Sequence, residues 1–208
     1  MSATNATDPR QEQRHTLMLR TAKVVCQSGE YVCLVRDVSA GGVGLRFLHD
    51  VPEEKRIFLE LANGALYPIE RTWADQGQAG YRFAAQVVLE NFLSEASLFA
   101  HRPVRLRLKV PVLLTVDGHD FRAMLADISR CGAKLNVDRL LPQGAFARFD
   151  AAGLPLRFGH IRWRKDHDHG IVFQEAIPLE ELARCLHTLQ PCAVAPGGEV
   201  QQGEIRAA

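Results

Sequence analysis

The chain has 208 residues, of which 47% are hydrophobic and 24% charged, with 25 basic and 24 acidic side chains leaving a formal net charge of +1. That composition suits an ordinary globular protein; it excludes a long apolar span and lacks the strong basic excess of a general nucleic-acid binder. The opening residues MSATNATDPRQEQR have no apolar core, so no secretory signal is read there, and the expected compartment is the cytoplasm with no membrane insertion.

In chain order, residues 1–7 are polar and expected to be disordered. Residues 17–26 (LMLRTAKVVC) alternate or run apolar, as a strand does, and QSGE at 27–30 has hairpin-turn chemistry. Further short apolar runs cover 30–38, 42–48, 56–61, 65–74 and 79–88. Leu89, Phe92, Leu93, Ala96 and Phe99 then form one apolar helix stripe. Six short strands in under eighty residues predict a small closed barrel or sandwich with a helix packed on it.

The pattern then recurs. A shift of ninety places Asp37 on Asp127, Ser39 on Ser129, Gly42 on Gly132, Trp73 on Trp163, Gly80 on Gly170 and Phe83 on Phe173. Residues 106–116 (LRLKVPVLLTV) read as the first strand of the second copy, DGHD at 117–120 as its hairpin turn, and Leu179, Leu182, Ala183, Leu186 and Leu189 as its helix stripe. Pro178 stands just before that helix, where proline is tolerated. The chain is therefore expected to be mainly β, two tandem six-stranded antiparallel barrels over 8–99 and 100–190, each followed by a helix, with a disordered tail at 191–208.

One bend carries more chemistry than a turn requires. RDVSAGGVGLRF at 36–47 holds an acid, a hydroxyl and glycines between apolar runs, and some twenty residues upstream Arg10 and Arg14 form RxxxR. Arginine binds phosphate oxygens or a guanine O6/N7 edge with two parallel hydrogen bonds and stacks on purine rings. Asp37 offers a carboxylate to a guanine N1–H and amino group, Ser39 a small donor or acceptor, and Gly41 and Gly42 allow positive φ and close approach of a ligand.

RxxxR followed by DxSxxG inside a six-strand pattern resembles the PilZ domain, a bacterial receptor module for cyclic di-GMP. The resemblance implies a ligand site at Arg10, Arg14, Asp37, Ser39 and Gly42, with Gly41 as a backbone neighbour, in a receptor that is not an enzyme and needs no metal or cofactor. It implies that ligand binding orders the amino-terminal segment and alters contact with an unidentified protein partner, in control of motility, exopolysaccharide or related surface behaviour. The second copy keeps Asp127, Ser129, Gly132 and Arg105 but has His101 at the first arginine position, with Arg102 one place off register. A lost charge-assisted hydrogen bond costs about 1.5–3 kcal/mol, so this second site is expected to bind weakly or not at all unless Arg102 substitutes.

Other features have plainer readings. KDHDHG at 165–170 groups His167 and His169 with two acids, but the equivalent ADQGQAG of the first copy has no histidine, so a polar turn is expected rather than a metal site. Trp73 and Trp163 are read as core residues, and Cys26, Cys33, Cys131, Cys185 and Cys192 as free buried thiols. No nucleophile-elbow motif accompanies any Ser, His and Asp set. The rivals are a PilZ-like structural protein that binds no nucleotide, and a small-barrel nucleic-acid binder, which neutral charge and the lack of an exposed aromatic series disfavour.

Overall fold

The structure is a computed structural model that describes residues 15–94 and 103–190. The two arginines of RxxxR, His101, Arg102, Cys192, the far end of the first helix stripe and both expected disordered termini lie outside the described residues.

The first barrel contains β1 (His15–Val25), β2 (Glu30–Val38), β3 (Gly42–Phe47), β4 (Arg56–Glu60), β5 (Leu66–Asp75) and β6 (Gln78–Phe83). All neighbours are antiparallel in the order β1-β2-β3-β6-β5-β4, and pairing of β1 with β4 closes the ring. A short helix, α1 (Leu89–Ser94), follows and buries Phe92 completely. The run at 79–88 is strand only to Phe83; the rest folds back, with the Val87 N–H donating to the Ala40 carbonyl at 3.0 Å.

The second barrel contains β7 (Leu106–Arg107), β8 (Pro111–Val116), β9 (His119–Ser129), β10 (Gly132–Val137), β11 (Phe146–Asp150), β12 (Arg157–Lys165) and β13 (Asp168–Phe173), then α2 (Leu179–Leu189). The order is β10-β13-β12-β11-β8-β9-β7, with β10 also paired to β9, so six strands close and β7 adds to β9. β3, β4 and β6 fall on β10, β11 and β13 at a shift of ninety residues. The copies part at their first strand. β1 is continuous, whereas its counterpart is split into β7 and β8 just before Pro111, which has no N–H and restricts the residue ahead of it. The Leu125 N–H still reaches the Val110 carbonyl at 2.9 Å, so the split does not open the barrel.

Alternation builds each core. β4 and β11 share one exposed–buried rhythm, which sends Ile57 and Leu59, and Ala147 and Phe149, inward. α2 buries Leu182, Ala183 and Leu186 against the second core, with Glu180 and Glu181 in its first turn where the helix dipole favours acids. Full burial of a side chain such as Phe149 is worth roughly 1.5–3 kcal/mol. The tight turn between β8 and β9 uses Asp117 (φ 50°) and Gly118 (φ 78°), the left-handed pair that matches hairpin twist.

The barrels share one seam. Val32 of β2 belongs to the second core, and Glu30 beside it is 5% exposed. The Glu30 carboxylate accepts from Lys23 Nζ at 2.8 Å and from the Arg107 backbone N–H at 2.9 Å, while Arg107 Nε reaches its other oxygen. Gln190, just past α2, donates from Nε2 to the Glu30 carbonyl at 3.0 Å and accepts from the Glu30 N–H. Burial pushes the Glu30 carboxyl up, but the hydrogen bonds from Lys23 and Arg107 outweigh it and hold it below the usual range. Nearby, the rings of His49 and His187 stack at 4.6 Å and 9°.

Several sequence expectations are corrected. Trp73 is 47% exposed rather than core, because it lies on the outer face of β5. Cys131 is exposed, while Cys26, Cys33, Cys131 and Cys185 are all free thiols. His169 is no turn residue: it is fully buried, its Nε2 accepting from the Leu141 N–H at 3.1 Å and its Nδ1 lying 3.1 Å from the His167 carbonyl. Among the described residues no helix is long and apolar enough to cross a membrane, and no group of three or more His, Cys, Asp or Glu is placed to hold a metal.

Candidate functional site

Strand register brings the bend to the start of the barrel. His15 pairs with Val38 and Thr16 with Asp37, so the described chain begins beside the DxSxxG bend, one residue after Arg14. The bend is closed locally. The Ser39 N–H donates to the Gly42 carbonyl at 2.8 Å, and the Gly42 N–H donates to Ser39 Oγ at 3.2 Å. Ser39 is 8% exposed, so its hydroxyl serves the bend first.

Gly42 and Gly44 each have a packing reason. Gly42 is not in the left-handed region, contrary to the expectation of positive φ; a Cβ there would come within 2.8 Å of the Tyr81 carbonyl on the neighbouring strand. A Cβ at Gly44 would meet the Asp37 carboxylate at 2.6 Å. Asp37 thus lies across bare backbone, with its carboxylate against β3. The Phe83 N–H donates to the Gly41 carbonyl at 2.9 Å, which ties the bend to β6.

These residues floor a shallow notch of about 60 Å³, lined by Asp37, Ser39, Gly42, Thr72, Trp73 and Gly80 among others. Trp73 is the residue that the sequence reading missed. It pairs across the ladder with Gly80, and its indole lies over that glycine so closely that any Cβ would overlap it. An aromatic laid over a cross-strand glycine is held flat on the sheet. The signal was present in the sequence as the repeated Trp-to-Gly spacing, Trp73 to Gly80 and Trp163 to Gly170, but register was needed to read it. Thr72 Oγ1 donates to the Gly80 carbonyl at 2.9 Å and fixes the rim. The notch therefore offers a carboxylate, a short polar bend and an indole face, while Arg10 and Arg14 lie outside the described residues.

The second copy of the motif has a different environment. Arg105 Nη1 lies 3.5 Å from Asp127 Oδ1, and both residues line a cleft of about 240 Å³ whose other wall is Lys23, Glu60, Asn63 and Gly64 of the first barrel. Ser129 Oγ donates to the Gly132 carbonyl at 3.1 Å, and Gly132 packs tightly against the Ile171 carbonyl. The structure brings Arg105 to Asp127 in a cleft shared with the first barrel, and Ser129 to Gly132 within the bend.

Residues 8–90 match the PilZ domain. The first barrel is a PilZ domain. No curated protein sequence matches the chain. Among solved structures, the Borreliella burgdorferi PlzA protein in complex with c-di-GMP is similar at 13% identity and a TM-score of 0.32, over 85% of this chain and 93% of that one. The Bacillus subtilis inhibitor of motility MotI/DgrA is similar at 10% identity and a TM-score of 0.36, over 83% and 96%. YcgR from Escherichia coli in complex with c-di-GMP is similar at 12% identity and a TM-score of 0.32, over 81% and 83%.

Proposed function

We propose that the first barrel is a cytoplasmic receptor for cyclic di-GMP, with Arg10, Arg14, Asp37, Ser39, Gly41 and Gly42 as its ligand residues and Trp73 as an added stacking face. The observation that carries this reading is the β1–β2 register, which sets Thr16 opposite Asp37, so that β1 begins beside the bend one residue after Arg14 in the sequence. The notch alone is too small for a cyclic dinucleotide, at about 60 Å³. The two arginines supply the missing wall and the positive charge for two phosphates, while Asp37 accepts from a guanine edge and Trp73 covers a base. Ordering of the arginine segment over the bend is the ligand's conformational output. A protein partner reads that change, in control of motility, exopolysaccharide or a related surface behaviour, and the protein performs no catalytic step of its own.

The second barrel is a degenerate copy that does not bind the nucleotide. Its aspartate is engaged by Arg105 and faces the first barrel. Titration calorimetry of the full chain with cyclic di-GMP tests both statements. Wild type should bind at the first barrel, Arg14→Ala and Asp37→Ala should lose that heat, and Arg105→Ala should keep it. Equal heats for wild type and Arg14→Ala would sink the site assignment; no heat for wild type would leave a PilZ-fold protein that works without nucleotide.

A further inference from the structure

The outer faces of the two barrels are chemically opposite at matched positions. In the first barrel Arg56, Pro68, Glu70 and Arg82 occupy one patch, where Arg82 Nη2 reaches Glu70 Oε2 at 2.8 Å and Arg56 Nε lies 3.8 Å from Glu70 Oε1. A shift of ninety residues replaces these with Phe146, Phe158, His160 and Val172. The patch remains contiguous, because Phe146 pairs with His160 across β11 and β12, and His160 with Val172 across β12 and β13. The rings of Phe146 and Phe158 stack at 5.8 Å and 6°, and His160 meets Phe146 edge-on at 5.5 Å. Yet Phe146 is 46% exposed, Phe158 42% and Val172 48%.

Ordered, stacked and solvent-facing aromatics are the composition of an interface centre, not of a solvated surface. Charge narrows the occupant. Arg148 pairs across the ladder with Phe158, and Arg162 follows His160 on β12. Arg148 shares its charge with Asp150 at 2.8 Å, while Arg162 has no ion-pair partner among the described residues. The apolar centre is thus bracketed by two guanidinium groups and is positive on balance.

We propose that this face of the second barrel docks a partner protein through a segment that presents an aromatic or aliphatic side chain flanked by carboxylates. The apolar side chain covers the Phe146–Phe158 stack, and the carboxylates meet Arg148 and Arg162. A second copy of the chain fits less well, because a self-complementary contact would bring like guanidinium groups together. This proposal does not depend on nucleotide binding by the first barrel.

A random dodecapeptide library panned on the full chain, with Phe146→Ser/Phe158→Ser as the counter-selection target, tests it. Both substituted side chains point outward, and circular dichroism checks that the variant keeps its fold. The expected peptides carry an apolar residue between acids. Their affinity should fall at least about tenfold, by fluorescence anisotropy, for the double serine variant and for Arg148→Glu/Arg162→Glu. The proposal is overturned if no peptide is retained over the counter-selection, if retained peptides are basic or neutral, or if charge reversal leaves their affinity unchanged. It is also overturned if light scattering finds a wild-type dimer that Phe158→Ser dissolves, or if oligo(U) binds with steep salt dependence and Phe158→Ser abolishes that.

Discussion

The two barrels follow one chain plan ninety residues apart, yet their motif bends face different surroundings. In the first, Asp37 and Ser39 floor an open notch beside Trp73. In the second, Asp127 pairs with Arg105 in a cleft walled by the first barrel. The difference teaches that a repeated bend is a structural device first: in both copies the serine hydroxyl closes the bend through Gly42 or Gly132. What surrounds the aspartate differs: an indole and bare glycine in the first copy, an arginine and the other barrel in the second.

The comparison is most strongly tested at the seam. Glu30→Ala would leave Lys23 with Glu60 alone, at 3.1 Å, and remove the carboxylate that accepts from the Arg107 N–H and Nε, while the backbone bonds of residue 30 to Gln190 remain, for a loss of about 3–5 kcal/mol. Calorimetric melting should then resolve two transitions, one per barrel, where wild type shows one; a single transition in the variant would mean that the barrels are coupled elsewhere. Next in size is the core. Phe149→Ala should cost the second barrel about 3–5 kcal/mol, and Phe92→Ala a similar amount in the first, by chemical denaturation. If the seam couples the barrels, either change lowers the single midpoint of both.

The site comparison is sharpened by Trp73→Ala. The indole covers Gly80 on an exposed face, so stability should move little, while affinity for cyclic di-GMP falls by about 1–3 kcal/mol, as for loss of a base-stacking ring. Trp163→Ala, at the matched position, should leave affinity unchanged. Equal loss from both would place the ligand in contact with both barrels.

The smallest effect is with pH. Burial pushes the His49 imidazole below its ordinary value of 6.5, opposed by its bond to the Asp50 carbonyl, with the stacked His187 lowering it further. Tyr31, Asp50, Glu53, Glu54 and His187 are titratable groups around that seam. A folded value below the unfolded one means that stability is complete above 6.5 and is lost as pH falls through the lowered folded value. Denaturation of wild type and His49→Phe on either side of 6.5 measures it; the phenylalanine variant should show the weaker acid dependence.

Much of the fold was legible because its signals are local. The run 42–48 and the observed strand Gly42–Phe47 agree to within a residue, since glycine marks the start and alternation sets the face. The run 79–88 was read too long, because nothing in Ala84–Val88 announces that its N–H groups turn back toward Ala40 and Pro68. Trp73 was misplaced for a similar reason. Large aromatics are usually inside, and only the pairing of Trp73 with Gly80 gives the indole a flat seat outside the barrel. His169 reads as a turn residue in the sequence because the equivalent stretch of the first copy has no histidine, whereas its ring points inward to the Leu141 N–H.

The sequence by itself determined the duplication, the six-strand plan of each half and the bend at Asp37 to Gly42, since turns and alternation are properties of neighbouring residues. Tertiary structure alone decided that Asp127 faces the other barrel, where the indole lies, and that Glu30 and Gln190, 160 positions apart, meet at the seam. Those outcomes follow from ladder register and barrel-to-barrel packing, which join residues too distant in the chain to leave a local mark.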